Sequence, residues 1–237
     1  MSEVYRLYNE PDYNATTKTT GAGQAQEWDA AKSIGGLNGY IKNTIVTTIP
    51  VFATATHAEI NSNFMTIQVY YDFSQLTYPN NISLECINVY STTGFLSRCG
   101  FQKNGSQYQW RMGQYKDARA GSVFTAYNVS GPGPDYLEML YTRPSTNISL
   151  DGTVQYTTGL DGVIGTHTGL DNYDEFPLFS KIAVGGGLLA GSINAGFTGD
   201  FWIGKVIVTN DDTPIGPYVL HNRQVFNQLR RRRRLSL

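Results

Sequence analysis

Three histidines, His57, His167 and His221, are the residues best suited to acid–base or metal chemistry near neutral pH, and they lie far apart in the chain. None has a second imidazole, thiolate or carboxylate at the short spacing from which a strand or turn builds a metal site, so no metal and no cofactor is expected. A Ser-His-Asp relay needs its serine on a strained turn, and no Gly-x-Ser-x-Gly elbow occurs. Carboxylates are the next source of chemistry. Asp171, Asp174 and Glu175 form the nearest acidic cluster, but a glycosidase pair on a sandwich strand needs i, i+2 or i+4 spacing to bring two carboxyls within about 5 Å. Their glycine-rich approach marks a loop and solvated side chains. Asp211 and Asp212, with Asn210 and a carbonyl, offer hard oxygens to calcium, although a turn or cap role is simpler. The chain is therefore not expected to be an enzyme.

The strongest charge contrast is at the end of the chain, where Arg230, Arg231, Arg232, Arg233 and Arg234 precede Leu-Ser-Leu. The formal net charge is −1, so these five arginines conceal a body that is net acidic. Guanidinium groups stay ionised and bind phosphate bidentately, which makes the tail a candidate for non-specific nucleic-acid contact, tight only when many copies act together. The same run also fits a nuclear localisation signal, a basophilic kinase site at Ser236, or a plain solvated tail.

Aromatic side chains offer a third chemistry, stacking on sugars. Trp110 and Trp202 sit in apolar strand patterns and read as core. Trp28, by contrast, stands in a polar stretch without neighbours to bury it, as do Tyr5 and Tyr8. Either that stretch folds back over its own domain or these three residues anchor in another subunit; the second is preferred here.

The elements that would hold these groups are strands. At 41% hydrophobic and 16% charged residues, the chain has material for a core but a surface that must be neutral and polar. Its 16 tyrosines and 25 glycines, with abundant Thr, Ser and Asn, favour strands and turns over helices. Its 237 residues suit one all-β domain. Ile67, Val69, Tyr71 and Phe73 alternate with Thr66, Gln68, Tyr70 and Asp72, and Ile82, Leu84, Cys86 and Asn88 alternate with Ser83, Glu85, Ile87 and Val89. Lys103-Asn104-Gly105-Ser106 is a hairpin signal leading into Tyr108, Trp110 and Met112 on one face. In the segment 200–210, Phe201, Ile203 and Ile207 oppose Trp202, Val206 and Val208, which points to a strand covered on both sides.

Residues 1–36 lack periodicity and read as an extended N-terminal arm, with Gln24–Lys32 able to form a helical turn or two. Residues 37–222 form the sandwich domain and residues 223–237 the basic C-terminal tail. Cys86 and Cys99 fall in neighbouring strand-like segments and read as two buried thiols rather than a disulfide. No run of about 18 apolar residues is present, so no membrane span is expected. The start Met-Ser-Glu-Val-Tyr-Arg lacks a basic, apolar leader and reads as synthesis in the cytoplasm.

The stretch Ile82-Ser-Leu-Glu-Cys-Ile-Asn, then Gly94-Phe-Leu-Ser-Arg, then Tyr108-Gln-Trp-Arg-Met-Gly resembles three consecutive strands of the concanavalin A-like, laminin-G-like jelly roll. Gly199-Asp-Phe-Trp-Ile-Gly-Lys-Val-Ile-Val-Thr-Asn is similar to the closing strand of that family, and the resemblance spans roughly residues 64–210. It implies an all-β, two-sheet antiparallel sandwich, a grammar that viral coat jelly rolls share. Three functions follow as expectations. The first is a self-assembling viral coat or virion surface subunit, with the arginine tail on nucleic acid and a shell of identical copies as partner; its place would be the virion, with an intracellular or nuclear location as the alternative. The second is a lectin-like module binding glycan through the loops around Gly131–Asp135 and Asp171–Phe176. The third is a sandwich-fold carbohydrate-active enzyme.

Overall fold

The computed structural model describes residues 3–19, 25–46, 52–60, 64–91, 95–116, 120–142, 153–159, 161–168, 179–185 and 196–209. In chain order its elements are β1 (Glu3–Leu7), α1 (Glu10–Asn14), β2 (Thr17–Thr19), β3 (Ala25–Ile34), β4 (Leu37–Ile45), β5 (Phe52–Ile60), β6 (Phe64–Asp72) and β7 (Leu76–Thr77). They continue with β8 (Ser83–Ser91), β9 (Phe95–Asn104), β10 (Gln107–Lys116), β11 (Ala120–Val129), β12 (Asp135–Thr142), β13 (Thr153–Thr158), β14 (Gly162–Thr168), β15 (Phe179–Gly185) and β16 (Thr198–Thr209). Every ladder is antiparallel. The first sheet runs β14-β13-β12-β6-β16-β4-β3, with β1 and β7 also paired to β16; the second runs β11-β10-β9-β8-β15-β5-β2. The expected all-β, two-sheet antiparallel sandwich is what the chain forms.

Alternation builds the core between the sheets. Ile67, Val69, Tyr71 and Phe73 of β6 and its exit meet Leu84, Cys86, Phe101 and Trp110 from the second sheet in one apolar cluster. At its centre Trp110 stands edge-on to Tyr71, centroids 5.0 Å apart, and its indole N–H donates to the Tyr71 hydroxyl at 3.3 Å. Buried aromatic pairs prefer such edge contacts, and the bond satisfies the one polar atom that Trp110 brings inside. Cys86 and Cys99 are buried free thiols in this core.

Three local readings differ from the structure. In β8 a register shift between Glu85 and Ile87 interrupts the alternation and puts Ile87 in the core together with Cys86. Ala25–Ile34 is a strand rather than a helical turn, hairpinned onto β4 across Gly35 and Gly36, both with positive φ. The sequence signal was weak because β3 is an edge strand with a register shift between Asp29 and Ser33, which interrupts its alternation. In β16, Val206 and Val208 join Phe201 and Ile203 in the main core rather than facing Trp202. A register shift between Gly204 and Ile207 inserts Lys205, at φ 53°, and reverses the phase of everything after it.

Residues 3–19 and 25–36 are woven into the sandwich. Strand β1 pairs with β16, β2 with β5 and β3 with β4, so this stretch crosses from one sheet to the other and back. Helix α1 starts on Asn9, whose side chain accepts from the Asp12 N–H at 2.9 Å while Asp12 accepts from the Asn9 N–H at 3.2 Å, a reciprocal cap.

Candidate functional site

The two outer faces of the sandwich differ in chemistry. On the first sheet, Ile34, Tyr40, Tyr70, Tyr136 and Trp202 form a second, smaller core. The end of β3 seals it: the Lys32 ammonium lies 3.9 Å from the Trp202 ring centroid and 2.6 Å from an Asp72 carboxylate oxygen, and the Trp202 indole donates to Asp29 at 2.9 Å. That indole bond and the nearby Lys42 help to hold the Asp29 carboxyl below its ordinary pKa, although burial acts the other way. This face is closed by apolar contact and ion pairing.

The outer face of the second sheet is polar. Leu84, Cys86, Cys99, Phe101 and Trp110 point inward, so the alternate positions, Ser83, Glu85, Gly100, Gln102, Gln109 and Arg111, lie on the outside. Register aligns them in rows across the strands. Asn128, Gln109, Gln102 and Ser83 form one row from β11 to β8, and Ala126, Arg111, Gly100 and Glu85 form the next. Beyond them Asn88 stands opposite Arg98 in the ladder. The hairpin expected at Asn104-Gly105 sets this alignment: Gln107 pairs with Asn104, which brings Gln102 opposite Gln109.

The first row is a hydrogen-bonded ladder of amides. Gln102 Nε2 donates to Gln109 Oε1 at 2.8 Å, and Gln109 Nε2 donates to Asn128 Oδ1 at 2.8 Å. Its polarity is consistent from end to end, leaving an acceptor at Gln102 and a donor at Asn128. Gln102 is 7% exposed, and its Oε1 has no hydrogen-bond partner among the described residues. Asn88 is fully buried, and both atoms of its amide lack partners among the described residues. Buried polar atoms are normally paired, at a cost of about 1–3 kcal/mol each when they are not, which sets these amides apart. Gly100 makes room for its neighbour: the space a Cβ there would fill is taken by Ser83 Oγ.

The residues singled out from the sequence lie mostly elsewhere. Trp110 is core, and Trp202 belongs to the closed face. Tyr8 and Trp28 pack around Lys205, whose ammonium lies 4.5 and 5.5 Å from their ring centroids and donates to the Tyr8 carbonyl. Burial lowers the Lys205 pKa against the opposing pull of Asp12. Trp28 also stacks on Tyr13 at 6.0 Å, so both aromatics are engaged within the chain; Tyr5 pairs with Val208 through the backbone. The Gly131–Asp135 turn is structural, with the Pro132 carbonyl accepting from Phe73 N–H at 2.8 Å and the buried Asp135 from Gly159 N–H at 3.1 Å. His57 and His167 fall in β5 and β14. Asp171, Asp174, Glu175, Asp211, Asp212, His221 and Arg230 to Arg234 lie outside the described residues. Glutamine and asparagine in alternating strands read as ordinary solvent-facing residues, so only the cross-strand register shows that they converge.

No protein-family model matches the chain, and no curated protein does. Solved structures do. A cellulose-induced protein, Cip1, superposes with a TM-score of 0.53 at 11% identity, over 86% of this chain and 94% of its own. A legume lectin-like domain from Entamoeba histolytica gives 0.50 at 8% identity, over 90% and 97%. A carbohydrate esterase from the Shiga toxin-encoding bacteriophage phi24B gives 0.52 at 12% identity, over 86% and 95%. These likenesses show a two-sheet β-sandwich fold, consistent with the jelly-roll resemblance read from the strands.

Proposed function

We propose that this protein is a lectin-like carbohydrate-binding module in a concanavalin A-like jelly roll, and that it binds glycan on the outer face of the second sheet. The observation that carries the proposal is the amide ladder Gln102-Gln109-Asn128, with the buried amide of Asn88, unpartnered among the described residues, two rows further along the strands. Amides both donate and accept, which is what a sugar hydroxyl requires, and their positions are set by strands rather than loops. The kinship in fold to lectin-like and carbohydrate-associated structures supports the same reading. It stands ahead of the coat-protein expectation, whose support is the arginine tail at 230–234, outside the described residues.

The module binds without turnover. Of the two aligned rows, the ladder row carries no carboxylate and its neighbour carries one, Glu85, whereas acid–base hydrolysis of a glycosidic bond needs a pair. A glycan array tests the proposal. Wild-type protein binds a defined set of glycans, and Gln109→Leu, which removes the centre of the ladder, lowers that binding at least about tenfold, the loss of one to two hydrogen bonds. An array with no positive for the folded wild type refutes the function. Equal binding by a folded Gln109→Leu variant refutes the site.

A further inference from the structure

Resting on the glycan-binding reading and narrowing it, we infer that the ligand is an uncharged, hydroxyl-rich sugar chain held by hydrogen bonds alone, lying across β9, β10 and β11. Three features of the face lead there.

The first is charge. Ser83, Gln102, Gln109 and Asn128 are neutral, and in the adjoining row Glu85 offsets Arg111 across Gly100. The described charges of these two rows therefore cancel. Binding to a polyanion draws its strength from several cations displacing counterions together, and balanced rows do not supply them. A uronate polymer or a nucleic acid would also meet the Glu85 carboxylate.

The second is the absence of a stacking platform among the described side chains of this face. Phe101 and Trp110, the large aromatics of the two central strands, are fully buried in the core. Tyr108 is engaged by Tyr78 at 5.5 Å and by Phe101 at 6.0 Å. A flat crystalline polysaccharide is gripped through its apolar ring faces, and nothing in these rows meets such a face. The edge of a soluble chain, where the hydroxyls project, fits amides.

The third is access: Asn128, at the donor end of the ladder, is exposed, so its Nδ2 can donate to a ligand oxygen, while Gln102 Oε1 at the other end is buried.

Calorimetric titration of the 237-residue chain separates these claims. The probes are malto-, cello- and manno-oligosaccharides of increasing length and oligogalacturonates of matched length, each at low and high salt. The expected result is binding to at least one neutral series that changes less than about twofold between low and high salt, with oligogalacturonates at least about tenfold weaker. Asn128→Ala, at an exposed position that leaves the fold intact, lowers neutral-chain affinity about fivefold or more, the loss of roughly one hydrogen bond. Preference for the oligogalacturonates with a steep salt dependence overturns this inference and leaves the glycan-binding reading standing. So does tight retention on microcrystalline cellulose. Neutral binding that Asn128→Ala and Gln109→Leu leave unchanged moves the site elsewhere and overturns the inference. Failure of both probe series and of the glycan array overturns the two readings together.

Discussion

Raising the pH should unfold this protein cooperatively between about pH 10 and 11, because its tyrosines are built into the core. Burial pushes the Tyr13 hydroxyl up to about 12, and it pushes Tyr40, Tyr70 and Tyr71 further above the ordinary value. All four are 3% exposed or less. In the unfolded chain each ionises near 10, while in the native state each keeps its proton, so the native state binds more protons and stability falls as pH rises. Each contributes a loss of about 0.4 kcal/mol at pH 10 and about 1.4 kcal/mol at pH 11, together about 6 kcal/mol at the higher pH. That matches the whole stability of many domains. Lys205 acts in the opposite sense: its folded pKa is lowered, so stability is gained as pH climbs from that value to the unfolded one. Lys42, whose pKa its bond to Asp200 raises, adds to the loss as it deprotonates. One opposing group cannot offset four tyrosines. The assay is urea denaturation at pH 8, 10 and 11, with tyrosinate absorbance followed in parallel. The buried tyrosines should ionise only with the loss of near-ultraviolet circular dichroism. If all 16 tyrosines titrate near pH 10 while the tertiary signal persists, the assigned burial is wrong.

Lys32→Met should destabilise the fold by about 2 kcal/mol in urea titration, less than the 3–5 kcal/mol of a fully buried pair, because the Lys32 side chain is 18% exposed and Asp72 keeps its bonds to Ser74. Gly165→Ala should loosen the edge where β14 meets β11, since a Cβ there would fall inside the Tyr127 ring; pairing it with Tyr127→Ala should recover part of the loss, and a double-mutant cycle reads the coupling. Cys86 and Cys99, buried and with pKa values pushed up by that burial, should resist a thiol reagent in the native state and react in denaturant.

Much of the fold was legible because alternation is a local signal. Ile67 to Phe73 and the hairpin at Asn104-Gly105 take the positions that their pattern implied, and Trp110 sits at the centre of the core. Less legible were elements whose stability comes from distant partners. Strand β1 pairs with β16 across nearly the whole chain, and nothing local in Glu3–Leu7 reports it. In β16 the inserted Lys205 breaks the two-residue period on which the assignment of Val206 and Val208 depended. The candidate site was hidden in plain view. Gln102, Gln109 and Asn128 are unremarkable polar residues in sequence, and they form a ladder only because two hairpin registers bring them into one row.

Composition and alternation alone therefore determined the strand-rich sandwich and its buried thiols, since both follow from which side of a pleat is apolar. The tertiary structure decided which outer face was sealed by apolar contact and which carries a ladder of amides. That choice depends on the end of β3 folding over Trp202 and on amides meeting across three strands, relationships between residues that no local window contains.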